Sequence, residues 1–222
     1  MPAPRQPGRH VAFVHTSPAH VATFDRLVKV ADPSARVDHV VAETLLAEAR
    51  RLGVDHPALV RQVQQTMFQA AGDGATVVAC TCSTIGGIAE RTPPRAGQRF
   101  ARIDRAMADR AVRQGPRVLV VAALRSTLQP TARLIAESAV ALGSPATLDT
   151  LCVDDAWPHF ERGDHDAYIA AIVAAVRAAP RAADVVVLAQ ASMADAADAL
   201  GDLGVDVLSS PALGVQAMLL MN

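Results

Sequence analysis

The sequence predicts an α/β protein built on parallel β-sheets with helices packed on both faces. Short, almost entirely apolar runs recur along the chain, and helical patterns separate most of them. Such runs are typical of strands buried on both faces, and their alternation with helices is typical of parallel sheets. Of the 222 residues, 51% are apolar but only 3% are aromatic. We therefore expect a core of small side chains at helix–sheet contacts.

The elements can be placed in order along the chain. Strands are predicted at residues 10–15, 36–41, 75–80, 99–103, 117–122, 147–153, 184–188 and 205–208. Helices are predicted at residues 42–52, 56–71, 105–114, 127–142, 166–178, 193–203 and 211–221. Gly115-Pro116 follows one of these helices, as expected for a helix end. The Pro-rich stretch at residues 92–97 falls between two sets of strands, and we interpret it as a crossover between two domains.

Composition excludes several classes of partner. The net charge of −1 and the absence of any Lys/Arg cluster argue against nucleic acid. Residues 1–9 do not resemble a signal peptide, and no segment approaches the ~20 apolar residues of a membrane span, so no membrane partner and a cytoplasmic location are predicted. Three cysteines without framework spacing predict reduced thiols. Whether the protein forms a homo-oligomer is left open.

Two small polar clusters stand out because each follows an apolar strand. Residues 81–87 (TCSTIGG) follow the strand that ends at Cys80, and residues 188–193 (LAQASM) close a similar Val-rich run. Open α/β sheets place their binding sites at the carboxyl ends of strands. The first cluster offers a thiol, hydroxyls and a Gly-rich turn, whereas the second offers an amide and a hydroxyl.

Cys82 is the candidate reactive thiol. A cysteine near an apolar strand is more often a buried structural residue, and we expect Cys80 and Cys152 to be inert core residues. Cys82 lies beyond the apolar run, where the backbone N–H groups of a following helix or turn favour a thiolate. A Cys-x-Cys metal site needs more ligands, and the seven histidines show no paired spacing, so no metal is predicted.

Hydroxyl-bearing residues follow two further strands. Thr16 and Ser17 follow the first strand, and Ser126 and Thr127 follow the fifth. Each could simply cap the next helix, which is the simpler role for Thr127. Together with helix amides they would form a pocket suited to a small carboxylate. The sequence lacks the Gly-rich phosphate-binding motifs, which argues against a dinucleotide or nucleoside triphosphate.

One of these segments resembles a motif of a known protein family. Cys82-Ser83-Thr84 after a Val-rich strand is similar to the Cys-Asn/Ser-Thr motif of the aspartate/glutamate/hydantoin racemase superfamily. The resemblance covers nearly the whole chain, with further similar segments at residues 15–18, 121–127, 185–193 and 207–211.

The resemblance implies two doubly wound, flavodoxin-like lobes related by a pseudo-two-fold. The first would comprise residues 1–98 and 207–222, and the second residues 99–206. Cys82 and Gln190 would face one cleft, and the chemistry would need no cofactor. The residues expected to bind the carboxylate are Thr16, Ser17, Ser83, Thr84, Ser126, Thr127, Gln190 and Ser192.

The sequence departs from the family pattern at two positions. In the family two cysteines flank the substrate, but here Gln190 or Ala191 stands at the second position. A glutamine amide cannot exchange a proton near neutral pH, although it can donate a hydrogen bond to a carboxylate or enolate oxygen. His15 or Thr16 stands where amino-acid racemases usually have an acidic residue. Symmetric two-thiol chemistry and an α-amino acid substrate are therefore not predicted.

Three functions remain open. The first is a cofactor-independent isomerase for a small carboxylate, with Cys82 as its sole catalytic thiol. The second is a lyase, such as a decarboxylase of a substituted malonate, in which one thiol protonates the enediolate. The third is a catalytically degenerate carboxylate-binding protein. We favour the first.

Overall fold

The computed structural model describes residues 9–72, 74–95, 97–179 and 183–221. The chain divides into two compact units, Met1–Ile103 with Val215–Asn222, and Asp104–Gly214. Residues 1–8, 73, 96, 180–182 and 222 lie outside the described residues, although the sequence assigns them to one lobe or the other.

The first unit contains a parallel sheet with the strand order β2-β1-β3-β4. A short 3₁₀ turn, Pro18–His20, precedes its first helix. The elements of this unit are β1 (His10–His15), α1 (Val21–Ala31), β2 (Arg36–Val41), α2 (Thr44–Leu52), α3 (Pro57–Ala71), β3 (Val77–Cys80), α4 (Ser83–Glu90) and β4 (Arg99–Arg102).

The second unit repeats this topology, since its parallel strands follow the order β6-β5-β7-β8. Its elements are α5 (Arg105–Gln114), β5 (Arg117–Ala122), α6 (Arg125–Leu142), β6 (Thr147–Cys152), α7 (Trp157–Glu161), α8 (His165–Ala178), β7 (Val185–Leu188), α9 (Ala196–Ala199) and β8 (Asp206–Ser209). The closing helix α10 (Ser210–Leu219) begins in the second unit and ends in the first. The predicted α/β class and the two doubly wound parallel sheets are confirmed.

Both sheets bury apolar side chains on their two faces. In β5, Val118 and Val120 belong to one core cluster, whereas Leu119 and Val121 belong to another. Successive side chains of a strand point to opposite faces, so the near-continuous apolar runs follow from helices that cover both sides. Within the described ranges, every helix is too short or too polar to cross a membrane.

The structure places both unit boundaries later in the chain than the sequence analysis does. β4 pairs with β3 in the first sheet, so residues 99–103 belong to the first unit. β8 pairs with β7 in the second sheet, so residues 207–214 belong to the second. The stretch at residues 92–97 connects α4 to β4 inside the first unit and is therefore no domain crossover; Ala96 lies outside the described residues.

Several helical predictions need correction. Helices α1 and α7 were not predicted, although in α1 Phe24 and Val28 are buried with the spacing of one helix face. The helix predicted at residues 193–203 is instead a 3₁₀ turn at Ala191–Met193 followed by the four-residue α9. Gly201 and Asp202, which favour turns, follow the C-cap residue Leu200 of α9.

Candidate active site

Cys82 lies at the carboxyl end of β3, directly before the first residue of α4. All four residues of β3 are buried, and Cys82 is in an extended conformation with φ −92° and ψ 111°. It therefore occupies the N-cap position of α4, where the first backbone N–H groups of a helix have no intrahelical acceptor. The sequence prediction of a helix start after Cys82 is confirmed.

Several donors lie close to the Cys82 sulfur, although the side chain makes no capping hydrogen bond. These donors are the backbone N–H groups of Thr84 and Ile85 and the hydroxyls of Thr16 and Thr84, and each of them acts to lower the pKa of the thiol. Burial acts in the opposite direction and is the larger effect, so the pKa of Cys82 lies above its ordinary value. Cys82 is thus a neutral thiol close to groups that stabilise a thiolate.

The two predicted residues of the first loop have different positions. Thr16 contacts the Cys82 sulfur through its hydroxyl. The Ser17 hydroxyl accepts a hydrogen bond from the Ala19 backbone N–H at 3.3 Å and caps the 3₁₀ turn. Thr16 is thus next to the thiol, whereas Ser17 has the capping role that the sequence left open.

Ser83 and Thr84 form the start of α4 and are buried. The Ser83 Oγ atom is buried without a hydrogen-bond partner among the described residues. An unpaired buried hydroxyl costs free energy, and a ligand atom beside it would recover that cost. Arg102 is also buried and donates a hydrogen bond to the Ser83 carbonyl at 3.4 Å. A Cβ atom at Gly86 would lie 3.2 Å from the Arg102 side chain, so this position requires glycine or a shift of the arginine.

Histidines that the sequence analysis considered scattered lie together in the first unit. The Nε2 atom of His15 is 2.9 Å from Nδ1 of His39, and the Nδ1 atom of His15 is 2.9 Å from the Thr81 hydroxyl. His15 is completely buried, and burial together with the charges of His39 and His20 lowers its pKa to about 3. The parallel pairing of β1 with β2 places His39 opposite Phe13 and so brings it close to His15. The spacing of the histidines along the chain does not show how these two strands pair.

Gln190 occupies the corresponding position after β7 in the second unit. Its Oε1 atom accepts hydrogen bonds from the backbone N–H groups of Ala123 at 2.7 Å and Leu124 at 3.2 Å. Because both partners can only donate, they fix which end of the amide carries oxygen. The NH₂ group of Gln190 therefore points away from these two donors, and it is the end of the side chain that can donate to another group.

The other predicted residues of the second unit lie at the start of α6 and after the end of β7. The Ser126 Oγ atom is buried without a partner among the described residues, and Thr127 is buried in the first turn of α6. Because α6 begins at Arg125, Thr127 lies inside the helix and is not its cap. The Ser192 hydroxyl hydrogen-bonds to the buried Tyr168 hydroxyl at 2.8 Å. The cleft that we predicted between Cys82 and Gln190 stays a prediction.

The two other cysteines have distinct environments. Cys80 is buried in the core of the first unit, as predicted. Cys152 is half-buried rather than a core residue, and its thiol donates to Asp154 at 2.7 Å. Burial and this carboxylate raise the pKa of Cys152 to about 12, which leaves almost no thiolate at neutral pH. In the described part of the chain, no three His, Cys, Asp or Glu side chains are arranged to hold a metal ion.

The doubly wound sheet occurs twice, and a thiol lies at the carboxyl end of one strand; this arrangement agrees with the family that the sequence matches. Residues 54–218 match the family model of Asp/Glu/hydantoin racemases, and the chain belongs to this family. No curated protein matches the sequence.

Solved structures share the fold over almost the entire chain. An aspartate racemase from Picrophilus torridus matches with a TM-score of 0.75 at 11% identity, covering 96% of this chain and 93% of that one. The glutamate racemase isoform RacE1 from Bacillus anthracis matches with a TM-score of 0.68 at 11% identity, covering 96% and 80%. A mutant of arylmalonate decarboxylase in a sulfate-associated form matches with a TM-score of 0.53 at 19% identity, covering 95% and 91%.

Proposed function

We propose that the protein is a cofactor-independent isomerase of the racemase type that acts on a small carboxylate, with Cys82 as its sole catalytic thiol. The observation that carries this proposal is the position of one thiol at the N-cap of α4, close to two backbone N–H groups and two hydroxyls that act to lower its pKa. These groups stabilise negative charge on sulfur when the thiol gives up its proton. Family membership supports the reaction class.

In the proposed reaction, Cys82 acts first as a base and then as an acid. The thiolate removes the proton on the carbon next to the substrate carboxylate, which leaves an enolate. Return of a proton from the thiol to the same face re-forms the substrate with exchange of that proton. The isomer forms when water protonates the opposite face, and the thiol then gives its proton to the hydroxide that this leaves. We assign the NH₂ group of Gln190 the role of a hydrogen-bond donor to a carboxylate or enolate oxygen, because its oxygen is already held by Ala123 and Leu124. The unpartnered hydroxyls of Ser83 and Ser126 are assigned to the substrate as well.

A decarboxylase is the second candidate, and one observation favours it. Because burial raises the pKa of Cys82, the free protein holds the thiol form, which is the form that protonates an enediolate after loss of carbon dioxide. The structural likeness to arylmalonate decarboxylase is compatible with this reaction but shows the fold alone.

Proton NMR in deuterated water tests the proposal with a panel of dicarboxylates, hydantoins and amino acids. Exchange of the carbon-bound proton reports an enolate whichever product forms. We expect exchange with at least one member of the panel, and loss of that exchange in Cys82→Ala. Release of carbon dioxide from a substituted malonate, without exchange in any other substrate, would favour the lyase. Binding without either reaction would favour a degenerate carboxylate-binding protein.

The pH dependence of the reaction rate distinguishes a Cys82 thiolate that acts as a base from a Cys82 thiol that acts as an acid. If the thiolate is the reactive form, the exchange rate should rise about tenfold per pH unit from about pH 6 to about pH 9, since the pKa of Cys82 lies above its ordinary value. If the thiol is the reactive form, the rate of decarboxylation should be flat over that range and fall only at higher pH. A maximum near neutral pH would contradict both roles for Cys82.

The cytoplasmic location and the oligomeric state stay predictions from the sequence.

A further inference from the structure

A row of hydrogen-bonded side chains runs from His39, which faces an exposed carboxylate, to the segment that carries the thiol. We call His39, His15 and Thr81 the imidazole chain. His39 and His15 are joined at 2.9 Å, His15 and Thr81 are joined at 2.9 Å, and His39 Nε2 faces the exposed Asp25 carboxylate at 3.9 Å. The carboxylate approaches from α1, and the three members of the chain come from β2, β1 and the end of β3.

The hydrogen bonds of the imidazole chain must all run in one direction. A neutral imidazole has one N–H donor and one acceptor nitrogen, and the buried His15 remains neutral at physiological pH. In one direction, Thr81 donates to His15, His15 donates to His39, and the Nε2 hydrogen of His39 points toward Asp25. In the opposite direction, His39 donates to His15, His15 donates to Thr81, and the Thr81 hydroxyl donates to the Val14 carbonyl, which lies at 3.3 Å.

Two members of the imidazole chain, Thr81 and His15, lie in the segments that adjoin the catalytic thiol of the proposed function. Thr81 directly precedes Cys82, and His15 directly precedes Thr16, whose hydroxyl lies beside the Cys82 sulfur and acts to lower the pKa of the thiol. The backbone N–H of Thr81 also donates to the Val14 carbonyl at 2.9 Å. The bond between His15 and Thr81 thus joins the two chain segments that bring Thr16 to the sulfur.

We propose that the imidazole chain positions Thr16 against Cys82, and that protonation of His39 sets the direction of its hydrogen bonds. The proposal rests on the assignment of Cys82 as the catalytic thiol. A protonated His39 carries two N–H groups, so it must donate to His15 and can also donate toward Asp25. His15 then donates to Thr81, and the Thr81 hydroxyl turns to the Val14 carbonyl.

Several charged or titratable groups act on His39. Asp25 approaches from α1, and Asp38 lies beside it on β2; both favour the protonated form, whereas burial favours the neutral form and is the larger effect. Asp38 is itself paired with His10 at 2.6 Å and with Arg36 at 3.4 Å. From β1, His15 contacts His39 directly, and the His15 ring also lies 6.4 Å from the ring of His20 at the start of α1.

The test follows the reactivity of Cys82 without any substrate. Alkylation by iodoacetamide is measured for each cysteine by peptide mass spectrometry across pH, with the rate of Cys152 as an internal control. His15→Phe keeps a ring between Phe13 and Phe24 but removes both hydrogen bonds. His15→Asn keeps a polar group near the position of Nδ1, and His39→Phe removes the titrating member. His165→Phe, on the exposed surface of α8, is the matched control.

We expect His15→Phe to change the alkylation rate of Cys82 about threefold or more at neutral pH, and His15→Asn to restore it to within about twofold. The pH profile of Cys82 in the unmodified protein should show an inflection below that of the thiol, and His39→Phe should remove it. His165→Phe should leave the profile unchanged. The rate of Cys152 should not change in any variant.

The proposal would be overturned if the pH profile of Cys82 alkylation were the same in His15→Phe, in His39→Phe and in the unmodified protein. If His15→Phe does not fold, the His39→Phe profile decides alone, since that side chain is partly exposed. Because alkylation needs no turnover, a protein that exchanges no substrate proton would end the proposed function but leave this measurement decisive for the imidazole chain.

Discussion

The carboxyl edges of the two sheets have the same backbone plan and different chemistry. In each unit the third strand along the chain has four buried residues, and the second residue after it is extended and begins a helical turn. That residue is Cys82 in the first unit and Gln190 in the second. The repeated topology places Cys82 and Gln190 at equivalent positions. The thiol at the first position can transfer a proton, whereas the amide at the second can only take part in hydrogen bonds.

The surroundings of the two residues also differ. Beside Cys82 the first unit buries His15, which has a strongly shifted pKa. In the second unit, Gln190 is held by backbone N–H groups, and the ion pair between Arg125 and Asp154 is exposed. The first edge therefore contains buried groups that titrate, whereas neutral hydrogen bonds hold the residue at the second.

Cys82→Ala should remove the group that exchanges protons and lower the exchange rate by about 10³-fold or more. The Ser83 and Thr84 hydroxyls cannot replace it, since an unassisted hydroxyl is a very weak base near neutral pH. Proton NMR in deuterated water measures the rate. Cys152→Ala is the matched control and should retain the full rate. A Cys82→Ala protein that still exchanges within tenfold of the original would show that another group is the base.

Acid should destabilise the first unit before the second. The pKa of His15 falls from 6.5 in the unfolded chain to about 3 in the folded protein, so the unfolded state binds more protons between these values. Above about pH 6.5 His15 is neutral in both states and its titration does not affect stability. As the pH falls toward about 3, protonation of His15 in the unfolded state lowers the free energy of unfolding progressively, by a total of roughly 5 kcal/mol. Hydrogen exchange at acid pH should show β1 and β3 losing protection before β5 and β7.

His15→Phe supplies the control for this acid sensitivity. The phenyl ring cannot be protonated, so the slope of the unfolding free energy against pH should become smaller in that interval. An unchanged slope, or earlier loss of protection in the second unit, would contradict the assignment of the buried titratable group to the first edge.

Gln190→Glu should cost about 10²-fold in exchange rate, or about 2.7 kcal/mol. Glutamate keeps an oxygen that accepts from Ala123 and Leu124, but it lacks the NH₂ donor and adds charge that repels a carboxylate. Gln190→Cys should instead raise inversion relative to exchange, because a second thiol supplies an acid for the opposite face of the enolate. Equal rates of inversion and exchange in the unmodified protein would show that a second acid already serves that face.

The strands could be predicted from the sequence almost residue by residue, because buried parallel strands leave apolar runs that are broken by polar strand ends. The same signal located Cys82 and Gln190. The unit boundaries could not be predicted, because the sequences of β4 and β8 do not indicate which of the two sheets each strand joins. That choice depends on strand pairing, which is set by contacts between residues far apart in the chain. The contact of His15 with His39 was missed for the same reason, because it depends on the register between β1 and β2.

The close approach of Gly86 to Arg102 limits which pairs of residues can stand at these two positions. Helix α4 contains two adjacent glycines, which weaken a helix, and it lies against the side chain of a buried arginine. A larger residue at position 86 would need a shorter or displaced side chain at position 102. Among relatives, we therefore expect these two positions to covary, so that a library randomised at one of them recovers active variants chiefly when the other is randomised too.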